Sequence, residues 1–184
     1  MLPYISDDSI LDIGSGFGWH CIYASNHGAK KVIGTDISEK MLEVAKTKSE
    51  NKNITYFQMA MEDLNFPNEA FDVIISSLAF HYTSDFTKVC KDIFNLLSPN
   101  GDFIFSVEHP IFTAQGNQDW SYDKTGNIEH WPVDSYFNEG ERTANFLGES
   151  VIKYHKTLTT YLNSLLEAGF TITKIIEPMP AEHL

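Results

Sequence analysis

Between Leu11 and His20 the chain reads LDIGSGFGWH, with glycine at positions 14, 16 and 18 and an aspartate, Asp12, two residues ahead of the first. Three alternating glycines strip a turn of side chains, so that bare backbone amides and the start of a following helix can close on a ligand. Asp36 ends the run KVIGTD, at about the distance downstream at which a carboxylate accepts hydrogen bonds from a ribose diol. Together the two features describe a cleft for a nucleoside. A dinucleotide fingerprint, Gly-x-Gly-x-x-Gly, would set its last small residue at Trp19, too bulky for close packing of helix on strand. The spacing here is Gly-x-Gly-x-Gly. Asp12 would repel a pyrophosphate and suits a ligand carrying an ammonium or sulfonium charge; capping of local backbone amides is an equal alternative for it.

These residues need a frame, and the composition bounds it. With 184 residues, 42% hydrophobic and 21% charged, the chain reads as a single domain, 1–184, able to bury about two-thirds of its unfolded surface. Its apolar runs fall short of the roughly 18–20 residues of a membrane span, and no signal sequence opens it, so the expectation is a cytoplasmic protein with no membrane partner. The net charge of −12 disfavours nucleic acid. Cys21 and Cys90, far apart and both in helical stretches, read as buried thiols, and no metal site is expected.

Strand-length apolar runs alternate with amphipathic helical stretches, which predicts an α/β fold with a doubly wound, mostly parallel sheet. Strands are expected at SILDI, KVIGTD, ITYFQMA, FDVIISSL, DFIFSVEH and FTITKIIE. The helices expected between them include one that opens on Ser38 as its N-cap and one, DFTKVCKDIFNLLSPNG, that stops at Pro99, Asn100 and Gly101. From residue 110 to about 150 the pattern breaks into an irregular, aromatic-rich insertion after the fifth strand, with a hairpin turning near Gly148. Such stretches are commonly lids or binding loops.

The segments LDIGSGFGWH, VIGTDISEKMLEVAK, MEDLNF, FDVIISSLAFHY and LLSPNGDFIFSVEHP resemble, in order and spacing, the successive motifs of class I S-adenosylmethionine-dependent methyltransferases, and the resemblance resumes in YHKTLTTYLNSLLEAGFTITKIIEP. It implies a Rossmann-like methyltransferase fold and S-adenosylmethionine as cofactor. It further implies that Gly14, Gly16 and Gly18 line the methionine half of the cofactor, with Asp12 in reach of its amino group. Asp36 would hold the ribose hydroxyls, Ile37 would pack on the adenine face, Met61 and Glu62 would meet the adenine edge, and Ser76 would line the cleft near the methyl group. Where the family often has an aspartate this chain has Ala60, so backbone amides or Glu62 take over adenine recognition.

The acceptor then lies beyond the fourth and fifth strands. The candidate bases there are His81, Glu108, His109 and His155, residue types that can hold or pass a proton near neutral pH. The insertion, 108–155, is expected to act as a lid, with Trp131, Tyr136, Phe137 and Tyr154 closing an apolar pocket over a small-molecule acceptor. Relative to the family, N-terminal helices and a last antiparallel strand are expected to be missing. Two rival readings are an NAD(P)-dependent oxidoreductase and a non-catalytic nucleoside-binding domain. Oligomeric state is not legible.

Overall fold

The structure is a computed structural model that describes residues 5–49, 53–115, 119–146 and 148–179, the side chains of Asn145 and Phe146 apart. Its centre is a parallel sheet of β1 (Ser9–Ile13), β2 (Lys31–Asp36), β3 (Ile54–Gln58), β4 (Phe71–Ser77) and β5 (Leu97–Ser106), in the order β3-β2-β1-β4-β5. The order reverses between β1 and β4. In such sheets the crevice outside the carboxyl ends of the strands at that switch point is the ligand site.

Side chains alternate across each strand and so divide the core in two. On one face Ile10, Val32, Val73 and Ile75 pack with Cys21 and Ala24 of α1 (Trp19–Asn26) and Leu42 and Ala45 of α2 (Glu39–Lys48). On the other, Leu11, Ile13 and Ile74 meet α3 (Phe86–Leu96) and α5 (Leu158–Ala168). Helix α3 buries Phe86, Val89, Cys90, Ile93 and Leu96, the spacing of a single apolar stripe, and Asp85 caps it by accepting from the Lys88 amide. Both cysteines are buried free thiols. No helix among the described residues is long and apolar enough to cross a membrane.

Two expectations about the third helix and the last strand need correction. Helix α3 stops at Leu96, and residues 97–101 already belong to β5, whose register against β4 jumps from Phe71↔Leu97 to Val73↔Asp102. The Pro-Asn-Gly turn therefore forms an irregularity at the start of the strand, with Asn100 at φ 66°. The stretch expected as a sixth strand has no regular structure from Phe170 to Met179. Phe170 and Ile172 still pack onto the core, but a strand needs a ladder partner, and β5 pairs only with β4 among the described residues. Between β5, α5 and this segment lies an apolar cavity of about 740 Å³.

The insertion is more ordered than its composition suggests. It comprises α4 (Pro110–Ala114), the hairpin β6 (Ser121–Tyr122) with β7 (Ile128–His130), and the hairpin β8 (Gly140–Phe146) with β9 (Glu149–His155), which turns at Gly148 as expected. Strand β9 packs against a 3₁₀ turn, Phe80–Tyr82, that follows β4.

Candidate active site

The loop after β1 takes its three glycines through the left-handed region, at φ 69°, 52° and 76° for Gly14, Gly16 and Gly18. Each glycine is required for a different reason. A side chain at Gly14 would bring its Cβ to 2.5 Å from that of Ala79, the residue just before the 3₁₀ turn. One at Gly18 would run into the Tyr56 hydroxyl, whereas Gly16 faces open space with only the Met41 sulfur at 3.8 Å. Gly16 is thus the position at which the bare backbone fronts the cleft. Trp19 is exposed and stacks on Tyr23, so the close packing of helix on strand is made one residue earlier, by Gly18.

Asp36, at the carboxyl end of β2, ties this loop to its own. Its Oδ2 accepts from the Gly16 amide and its Oδ1 from the Ser38 amide, both at 2.8 Å. An ionised carboxylate has about four lone-pair sites, so each oxygen keeps capacity for a further donor. The chain after β3 is bound alongside: the Met59 amide donates to the Asp36 carbonyl at 3.0 Å and the Gln58 side-chain amide to the Ile37 carbonyl at 3.1 Å. This sets half-buried Met61 and Glu62 in the segment flanking Ile37, which is 72% exposed. Leu78, 55% exposed at φ 53°, forms a second bare apolar rim past the end of β4.

Asp12 is fully buried on the α1 side of the sheet. Its Oδ2 accepts from the Cys21 thiol at 3.4 Å, and its Oδ1 has no partner. The Ser15, Thr35 and Tyr56 hydroxyls are likewise buried and partnerless, which makes the floor of the loop a set of polar atoms without protein partners. Burial raises the Asp12 pKa to about 7, with the Asp36 charge adding to the rise and the Cys21 hydrogen bond opposing it. The folded pKa lies above the unfolded value, so Asp12 favours the fold when protonated, and that contribution is lost as pH rises through about 7. Thermal melts should therefore show wild type losing stability relative to Asp12→Asn as pH rises from about 4 to 7, toward a limit of about 4 kcal/mol; parallel pH profiles would contradict this.

Ser76, expected at the cleft, does something else. It is buried, and its hydroxyl donates to the Ile13 carbonyl at 2.8 Å, fastening β4 to β1.

The four candidate bases occupy four different environments. His155 is buried with both ring nitrogens engaged: Nε2 donates to the Tyr136 carbonyl and Nδ1 accepts from the Thr113 hydroxyl, each at 2.8 Å. Burial lowers its pKa, so the ring is a neutral strut between β9, α4 and the insertion. His155→Ala should cost about 2–3 kcal/mol of stability, readable in urea melts, because it leaves two buried groups unpaired. His109 caps α4 by accepting from the Ile111 amide at 3.1 Å, and its Nε2 donates to Glu177 at 2.8 Å. His81, on the 3₁₀ turn, is only 2% exposed, has a partnerless Nδ1, and is pushed by burial to a pKa of about 4. Glu108, just past β5, accepts from Lys153 Nζ at 2.6 Å through Oε1 and has a buried, partnerless Oε2.

The aromatic residues of the insertion pack mainly among themselves. Trp131 stacks on Phe112 with ring centres 4.2 Å apart, Trp120 meets Trp131 edge-on at 5.2 Å, and the Tyr136 hydroxyl accepts from the Leu158 amide at the start of α5. Phe137 is 88% exposed. Lys153, Lys156 and Ala79 had no signal in the sequence pattern, since a lysine in a polar hairpin reads as solvated.

A parallel sheet with a glycine loop and an acidic hook at its switch point defines a Rossmann-like nucleoside-binding fold. The methyltransferase domain family matches residues 11–105. A candidate S-adenosylmethionine dependent methyltransferase from Listeria monocytogenes, known by crystal structure, is 55% identical with a TM-score of 0.93, covering 98% of this chain and 85% of that one. The S-adenosylmethionine dependent methyltransferase from Mesorhizobium loti is 40% identical with a TM-score of 0.90, covering 100% and 83%. An uncharacterized protein of Haemophilus influenzae is 36% identical over 99% of this chain and 74% of its own length. The chain belongs to the methyltransferase domain family, and is a class I S-adenosylmethionine-dependent methyltransferase.

Proposed function

We propose that the chain transfers a methyl group to a small organic acceptor at the carboxyl ends of β4 and β5. The observation that carries this reading is the open, side-chain-free front of Gly16, hooked to Asp36, in a loop whose Gly14 abuts Ala79 just beyond β4. The residues fit the cofactor. Asp36 keeps lone pairs for a ribose diol, Ile37 offers an uncovered apolar face to adenine, Met61 and Glu62 flank its edge, and the orphaned Asp12 Oδ1 suits an ammonium group. When bound, the cofactor supplies a methyl carbon made electrophilic by the positively charged sulfur beside it.

The protein's own work is then to orient the acceptor, exclude water and hold a proton. Among the four candidates, Glu108 is the group best fitted to receive one. His155 and His109 are committed to structural bonds, and His81 is too weak a base once buried. The Ser76 hydroxyl is engaged by the Ile13 carbonyl.

Incubation with S-adenosylmethionine labelled in its methyl group and a fractionated cell extract tests the acceptor class. Label is expected in the small-molecule fraction. Label confined to nucleic acid or protein would overturn this reading.

A further inference from the structure

Strand β9 is inverted relative to an ordinary half-buried strand. Lys153 and His155 point inward and are buried, while Ile152, which precedes them on the opposite face, is about half exposed. Lysine is almost never buried unless paired. Its partner is Glu108, with side chains 5% exposed for Lys153 and 23% for Glu108. A buried ion pair of this kind is generally no more stabilising than apolar residues of the same volume, so stability does not account for the inversion. Departures of this sort from local consistency are expected at functional positions.

The pair sits where an acceptor must. Glu108 leaves the carboxyl end of β5, and β9 packs on the 3₁₀ turn that leaves β4, one residue beyond the Ala79 that abuts Gly14. We propose that Glu108 and Lys153 together bind the acceptor, and that this acceptor carries a hydroxyl group adjacent to a second oxygen. The inference rests on the methyl-transfer reading above.

The unfilled hydrogen-bonding capacity selects that chemistry. Glu108 Oε2 lacks a donor, and the bond to Glu108 is the one described for Lys153 Nζ, which has three hydrogens. A carboxylate or phosphate ligand would be repelled by Glu108, and an amine by Lys153 and by the nearby Lys156. Lys156 is itself satisfied by the Thr83 carbonyl at 2.5 Å and the Tyr154 carbonyl at 3.3 Å. A neutral hydroxyl donating to Oε2 and a second oxygen accepting from Nζ meet both needs. The 2.6 Å bond that joins the two side chains requires the two ligand oxygens to be neighbours. The Glu108 side chain, 23% exposed, is the part of the pair that borders solvent.

In transfer, the hydroxyl proton passes to Glu108 Oε2 as the acceptor oxygen bonds to the methyl carbon. The carbon–sulfur bond breaks with its electron pair left on sulfur, which discharges the sulfonium, and the proton is later released to water. Lys153 holds the neighbouring oxygen by hydrogen bond throughout and so fixes the orientation of the attacking one.

Catechol and resorcinol, which differ only in whether their oxygens are adjacent, serve as probes in calorimetric titrations of the full chain saturated with S-adenosylhomocysteine. Wild type is expected to bind catechol at least about tenfold more tightly than resorcinol. Glu108→Gln and Lys153→Met should each bring that ratio to about one. Lys153→Met leaves Glu108 buried and unpaired, so if it does not fold, the volume-preserving Glu108→Gln decides the matter. Equal binding of the isomers, no binding of either to the saturated chain, or an undiminished preference in Glu108→Gln would overturn the proposal while methyl transfer stands. Failure of S-adenosylhomocysteine itself to bind would remove the methyl-transfer reading and this proposal with it.

Discussion

Asp36→Ala is expected to weaken binding of S-adenosylhomocysteine by about 100-fold, close to 3 kcal/mol, in a calorimetric titration. Two effects add. The ribose loses charge-assisted acceptors, and the Gly16 and Ser38 amides, each held by an Asp36 oxygen at 2.8 Å, lose the bonds that shape the loop around the ligand. Asp36→Asn separates them, because its single carbonyl oxygen can hold one of the two amides but carries no charge; an intermediate loss is expected. Affinity unchanged in Asp36→Ala would remove the ribose assignment.

Gly14→Ala should be the most damaging small substitution in the loop. The new Cβ would stand 2.5 Å from that of Ala79, and the residue would be forced to keep φ 69°. The left-handed conformation alone costs about 1–2 kcal/mol for a residue with a Cβ. The contact cannot be relieved by a side-chain rotation, since both atoms are fixed to backbone. Either the loop or the start of the 3₁₀ turn must move, and both border the cleft. We expect a stability loss of about 2–4 kcal/mol in denaturant melts and loss of measurable cofactor binding. Ala79→Gly in the same chain frees the space, so the double variant should recover binding and retain only the conformational part of the cost. A Gly14→Ala protein that binds normally would show that this glycine serves the turn and not the ligand.

Much of the frame was legible because its signals are local. Alternating apolar runs and amphipathic stretches gave five parallel strands, and the spacing of the glycines and Asp36 marked one cleft, although the hydrogen bond that joins Gly16 to Asp36 had no signal in the sequence. Trp19 separated this loop from a dinucleotide turn, although for a reason of register: its ring points to solvent, and Gly18 makes the close approach against Tyr56. Roles set by long-range partners stayed hidden. Ser76 lies at the right strand end but turns to the Ile13 carbonyl, and His109 and His155 have the right chemistry but spend it on Ile111, Glu177, Thr113 and Tyr136. Nothing in ESVIKYH marks Lys153 as an inward-facing residue, because only the position of Glu108 after β5 gives it a partner. The expected sixth strand was read from propensity alone, and propensity does not supply a neighbour to pair with.

The cofactor assignment is tested most directly by titrating the chain calorimetrically with S-adenosylhomocysteine and, separately, with NAD. Saturable binding of the sulfur compound at one site per chain, with none for NAD under the same conditions, is the predicted result. Binding of NAD with no heat from S-adenosylhomocysteine would contradict it.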